Sequence, residues 1–459
     1  MNTFTQKSLY AALAGLGAFG AAGTANAVHV NPDGLGQVLI YPYYTVREQA
    51  AGAAYNSLLS VVNSTASAKA VKVRFLEGRN SREVLDFNLF LSAKDMWTAA
   101  VVPTADGAGI ISRDKSCILP GPISTNPASP TLFVNFAYLS DPAGGSLDRT
   151  REGYIELIEM GNVTGETAAN ITHVPATAPA SGTPLDCPAV NDTDARRDTV
   201  QGDGGLFGGI TLINVLLGED FGVEATALDN FNTSGPIYGN AGTVNPDLTA
   251  STNQFEVFAG TSVIVGTAAR GIDAVSAALM HRDVLNEFVL DAVTKSGTDW
   301  VVTFPTKRYY FLGNTVTSLF QRNFTSTGSC DDVSLTEFDR EEGSPRVPGG
   351  FSPPRPDAAP FALCWEANVV TFDSSNVFGS KNSFNYNATY ENGWVNINLV
   401  GGVAAPVHTL GTSAGTFQGL PVIGFAAQSF LNGTLTSGTG SLIQSNYGGA
   451  FLHKYTRGL

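Results

Sequence analysis

Residues 70 to 76 read Ala70-Val71-Lys72-Val73-Arg74-Phe75-Leu76, and after the turn-forming Glu77-Gly78-Arg79-Asn80 the chain runs Leu85-Asp86-Phe87-Asn88-Leu89-Phe90-Leu91. Val71, Val73 and Phe75 alternate with Lys72 and Arg74, and Leu85, Phe87, Leu89 and Leu91 repeat the period of two, which is the signature of a half-buried antiparallel hairpin. The alternation predicts Lys72 and Arg74 on a wetted face. With Lys69, Arg79 and Arg82 they form a basic cluster that reads as an ordinary solvated surface.

Working outward, further strands are expected at Gln37 to Thr45, Asn56 to Asn63, Met96 to Val102, Phe133 to Leu139 and Tyr154 to Met160. Turn signals between them recur at the spacing of a β-sandwich. Residues 162 to 207 are rich in Thr, Ala, Pro, Asn, Asp and Gly and read as a long loop or seam, placing a boundary near 200. Strands resume at Gly209 to Leu217, Gln254 to Val265, Asp299 to Pro305, Arg308 to Leu312, Trp394 to Val400 and Leu420 to Phe430. Val275, Leu279, Leu285, Phe288 and Val289 approximate a 3.6-residue period, so one short helix is expected near 273–291 with Asp273 as its N-cap. The expected fold is mostly β: two antiparallel, immunoglobulin-like β-sandwich domains at 28–200 and 201–459, the second carrying a proline-rich loop at 340–360.

The whole chain of 459 residues is 43% apolar and 14% charged, which excludes a coiled coil and wholesale disorder. Residues 1–27 hold one basic residue, Lys7, an Ala/Gly/Leu stretch and a closing Ala25-Asn26-Ala27, the pattern of a cleaved signal peptide. Its removal leaves 25 basic against 40 acidic residues, a formal charge of −15, which repels nucleic acid. The mature chain contains no transmembrane segment by this reading, and the expected location is periplasmic, cell-surface or extracellular. Cys117, Cys187, Cys330 and Cys364 are an even set in an exported chain, where disulfides are the default. Three pairings are formally possible; the sequential one, Cys117 with Cys187 and Cys330 with Cys364, closes the shorter loops.

Gly153 to Gly161, Thr298 to Lys307 and Asn446-Tyr447-Gly448-Gly449 resemble segments of uncharacterised exported proteins of Gram-negative bacteria. The resemblance covers most of the mature chain and implies an envelope or extracellular setting; it carries no site residues.

Catalytic signatures do not survive inspection. Gly15 to Gly20 matches a dinucleotide-binding fingerprint but lies in the leader, and Gly411-Thr412-Ser413-Ala414-Gly415 matches a nucleophile elbow with no later Asp or Glu to complete a triad, so a turn is expected there. The five histidines, His29, His173, His281, His408 and His453, are too scattered for a transition-metal site, and His281 is expected at the surface or its boundary. Two acidic clusters, Glu219, Asp220, Glu224 and Asp229, and Asp331, Asp332, Asp339, Glu341 and Glu342, read as solvated loops, with calcium the ligand they would suit. No other cofactor is implied.

From Asn392 to His453 the chain has no Asp, Glu, Lys or Arg, a run of 62 residues. Strands without charge are either central, the favoured reading for Trp394 to Val400 and Leu420 to Phe430, or free to pair with another chain. The favoured function is therefore a non-catalytic secreted or envelope protein with a structural, adhesive or assembly role, its partners being copies of itself or cell-surface components. The alternative is a carbohydrate-binding or carbohydrate-active protein using the acidic loops and exposed aromatic rings among Trp97, Trp300, Trp365, Trp394, Tyr43-Tyr44 and Tyr309-Tyr310. An outer-membrane barrel is disfavoured by the charged ending from Lys454 to Leu459 and by the long loops.

Overall fold

The computed structural model describes residues 26–175, 182–311, 317–341, 343, 361–401 and 407–458. The leader with its Gly15 to Gly20 match, Leu312, Glu342 and the proline-rich run from 345 to 360 lie outside the described residues.

The founding hairpin forms as its alternation demands: Ala68–Glu77 pairs antiparallel with Glu83–Leu91, setting Lys72 opposite Asn88 and Arg74 opposite Asp86. Its turn is fixed by Glu77, whose carboxylate accepts the backbone N–H groups of Arg79 and Asn80 at 2.9 Å each. These strands belong to a first sheet of eight, ordered His29–Val30, Thr226–Asp229, Val38–Thr45, Glu152–Val163, Ala68–Glu77, Glu83–Leu91 and Cys117–Leu119, with Thr199–Val200 beside Glu152–Val163. A second sheet of six runs Thr131–Leu132, Ala108–Ile111, Met96–Pro103, Asn56–Asn63, Leu206–Asn214 and Glu219–Glu224. Val71, Val73, Phe75, Phe87 and Trp97 fill the core between them. Three strands beyond residue 200 thus pair into the first two sheets, so the strand pairings cross the boundary expected there.

The remaining chain builds a third sheet, ordered Ser383–Tyr386, Ala367–Phe372, Ser296–Thr303, Ile423–Thr436 and Leu442–Leu452, and a fourth, ordered Phe361–Leu363, Asp331–Asp339, Asn392–Asn398, Asp283–Val289 and Lys454–Thr456. Pairing is antiparallel except between Ala367–Phe372 and Ser383–Tyr386. Trp300, Val302 and Phe372 face the fourth sheet's Val284, Phe288 and Val395, whereas Val301, Val369 and Phe425 join the core of the first two sheets. The third sheet is therefore covered on both faces, and the two sheet pairs share apolar contacts. These pairings give two stacked pairs of mostly antiparallel sheets; they do not establish an immunoglobulin strand order.

Several expected elements differ. The helix is confined to Gly271–Leu279, and Leu285, Phe288 and Val289 lie in the strand Asp283–Val289. Arg270 occupies the N-cap position, while Asp273 sits in the first turn, where a carboxylate suits the helix dipole and holds Arg270 and the Tyr310 hydroxyl. Phe136–Tyr138 and Lys307–Tyr310 are 3-10 turns where strands were expected. Gln254–Ala259 and Ser262–Thr267 form a hairpin in place of one strand. The supposed loop after 162 holds two short helices, Gly165–Ile171 and Asp192–Asp198, the second capped by Asn191.

Candidate functional site

The basic cluster is not a wetted face. Lys72 is 0% and Arg74 2% exposed, because later segments of the chain, with Tyr309 and Asp247 beside Arg74 and Glu156, cover the side of the first sheet opposite the second. The charges survive burial by pairing: Arg74 contacts Glu156 at 2.5 Å and Glu83 at 2.8 Å, Lys69 contacts Glu159 at 2.6 Å and also Asp203, and Lys72 contacts Asp86. Burial nevertheless outweighs pairing at Glu156, raising its pKa to about 7. Burial likewise raises Glu366, which accepts from the Ser81 hydroxyl, to about 8. Asp299, held by the Phe378 N–H and Ser375 hydroxyl, is pushed up to about 6 for the same reason. All three carboxylates are buried inside the sheet packing.

The acidic clusters do not converge. Glu219 is buried and accepts from the Ser429 hydroxyl, while Asp220 and Glu224 are exposed. Asp331 pairs with Lys307 at 2.9 Å, and Asp339 accepts the N–H groups of Glu341 and Gly343. Among the described residues no group of three or more His, Cys, Asp or Glu is placed to hold a metal ion. Ser413 sits in the turn of the hairpin Thr409–Thr412 with Gly415–Gln418, its hydroxyl accepting the Thr267 N–H at 2.7 Å. His281, expected near the surface, is buried and stacked on Tyr455 with centroids 3.9 Å apart. His453 marks the corner where the chain leaves the third sheet for the fourth; burial lowers it to about 4. Trp97 and Trp300 are fully buried, Trp365 lies under Arg79, and Trp394, 37% exposed, stacks on Phe338 at 4.3 Å. Cys117 is bonded to Cys187 and Cys330 to Cys364.

Two features could meet a partner. The first is a trough of about 640 Å³ on the outer face of the second sheet. Register builds it: Gly209 lies opposite Ser60 and Ser60 opposite Thr98, while Thr211 lies opposite Leu58 and Leu58 opposite Ala100. Small side chains at the other alternate positions, Ser60, Thr98, Ala100, Gly209 and Thr211, hollow the sheet around Leu58, and Arg113 and Glu224 are the charged residues of its lining. Its chemistry suits an extended, mostly neutral molecule. The sequence hid this feature because the rows form only once the strands are in register.

The second is the end of the uncharged tract. Asn392–Asn398 and Ile423–Thr436 each have neighbours on both sides, as central strands should. Leu442–Leu452 is an edge, paired along one side only. Past Leu431 and Asn446 it continues with its partner as a two-stranded ribbon, where Leu442 is 76% and Ile443 51% exposed.

No helix among the described residues is long and apolar enough to cross a membrane. Comparison with protein-family models, with curated proteins and with solved structures gives no match.

Proposed function

We propose that the chain is a non-catalytic exported protein of the envelope or extracellular space, acting in surface structure, adhesion or assembly through neutral β surfaces. The observation that carries this reading is the uncharged edge strand Leu442–Leu452, which lacks the charges and prolines that normally keep edges from pairing. Two disulfides and a strongly acidic composition fit an oxidising compartment and a chain that does not seek nucleic acid. Sedimentation velocity on the mature chain over a wide concentration range is expected to show association; a monomer throughout would remove the assembly role.

A second reading, carbohydrate binding, is favoured by Trp394. Cross-strand pairing sets it between Phe338 and Glu287, with Asn396 two residues along the same strand, so a partly exposed ring adjoins polar groups. Flat rings beside hydrogen-bonding groups suit sugars. Glycan-array binding lost in Trp394→Ala would support it, and an array with no signal would end it.

A further inference from the structure

We propose that a second copy of this chain adds its own Leu442–Leu452 strand antiparallel to this one, joining two third sheets into one continuous sheet across a two-fold axis. This deepens, and rests on, the assembly reading above. The strand has eleven residues, no charge and no proline, and in the sheet order it stands last; Asn286 donates to the Phe451 carbonyl at 3.0 Å near its end, and the outer hydrogen-bonding groups along the rest suit another extended backbone. One face is already occupied within the chain: Asn446 donates to the Leu217 carbonyl at 2.8 Å and Phe221 lies against Gly448. That leaves the edge, and the ribbon beyond Asn446, as the surfaces to be covered. A two-stranded ribbon is marginal in water by itself, and this one exposes Leu442 and Ile443.

Charge selects the occupant. Each copy carries −14 over the full sequence, so two copies repel wherever their carboxylates come within a Debye length of about 8 Å. The 62-residue neutral tract removes that repulsion along this strand and supplies nothing to attract a cationic partner. Antiparallel self-pairing about Tyr447, the middle residue of the strand, sets Leu442 opposite Leu452 and Ile443 opposite Phe451 of the second copy, so the apolar side chains left open in one copy cover those of the other.

The test uses three forms of the mature chain. Wild type is expected to dimerise in sedimentation velocity. Leu442→Lys combined with Ile443→Lys places charges against the apolar Leu452 and Phe451 of the other copy and is expected to weaken dimerisation about 100-fold. With no free cysteine among the described residues, Tyr447→Cys, at the two-fold axis, introduces a lone thiol opposite its own counterpart and is expected to yield a covalent dimer on mild oxidation. Near-ultraviolet circular dichroism of each variant, unchanged from wild type, shows that the fold is intact. Association that persists in the lysine variant, with no covalent dimer from Tyr447→Cys, overturns the proposed strand pairing and leaves assembly standing. A wild type that is monomeric throughout overturns the assembly reading itself.

Discussion

The strands Ala68–Glu77 and Leu442–Leu452 invert the usual rule. The first carries Lys69, Lys72, Arg74 and Glu77, all of them buried; the second carries no charge and holds several of the chain's most exposed large apolar residues. Position in the stack accounts for the difference. A sheet covered on both faces has no solvent side, so alternate positions that would be wetted in a simple sandwich must be apolar or ion-paired, and the first sheet uses both solutions. An edge strand has a solvent side whatever its composition, and neutrality there removes protection against pairing.

The contrast is broken most directly at Arg74. Arg74→Ala leaves Glu156 buried without its partner and is expected to cost about 3–5 kcal/mol in chemical denaturation, whereas replacing Arg74 by Met together with Glu156 by Leu is expected to recover most of that loss. Equal losses in the two variants would mean that packing, and not an orphaned charge, governs the site.

The disulfides sharpen it next. Cys117–Cys187 and Cys330–Cys364 close loops with sequence separations of 70 and 34. Chain entropy assigns each about 4 kcal/mol, so replacing either pair with serine should lower the denaturation midpoint, the longer loop slightly more.

Solution pH gives a smaller, signed effect. Glu366, Glu156 and Asp299, raised by burial to about 8, 7 and 6, bind protons more tightly folded than unfolded, so their stabilisation is present below the unfolded carboxylate pKa and is lost as pH rises through those values. His453, lowered by burial to about 4, acts oppositely: the unfolded chain gains its proton first, and stability is lost as pH falls below the unfolded histidine value. With three such carboxylates against one histidine, thermal melts are expected to be highest near the unfolded carboxylate pKa of about 4.5 and to decline toward pH 8.5; a melt that rises steadily to pH 8.5 contradicts the assignment. Glu366→Gln should flatten the alkaline decline.

The smallest effect on stability belongs to the neutral strand. Ile443→Lys alone is expected to change unfolding free energy by less than about 0.5 kcal/mol, because the site is exposed within one copy. The same substitution in the first sheet's core, Val73→Lys, should prevent folding.

Much of the strand pattern was legible from alternation. Asn56 to Asn63 coincides with the observed strand, and the hairpin beginning at Ala70 differs only in extent. The helix was half legible: Val275 and Leu279 lie on it, but Leu285 and Phe288 continued a 3.6 period by coincidence while facing the period-two pattern of Asp283–Val289. Lys72 and Arg74 were misplaced because a single strand's alternation reveals two faces without saying what covers them. That depends on residues far along the chain, such as Asp247 and Tyr309. The trough was hidden for a related reason, since Gly209, Ser60 and Thr98 become neighbours only through pairing register.

The central claim is that neutrality at an edge marks where this acidic chain associates. Sedimentation velocity of the mature protein at low and at high sodium chloride tests it most directly. Dimerisation that holds or strengthens with salt, as screening relieves the repulsion between two copies at −15 each, is the expected result. A monomer at every concentration, or a dimer that dissociates as salt is added, contradicts it.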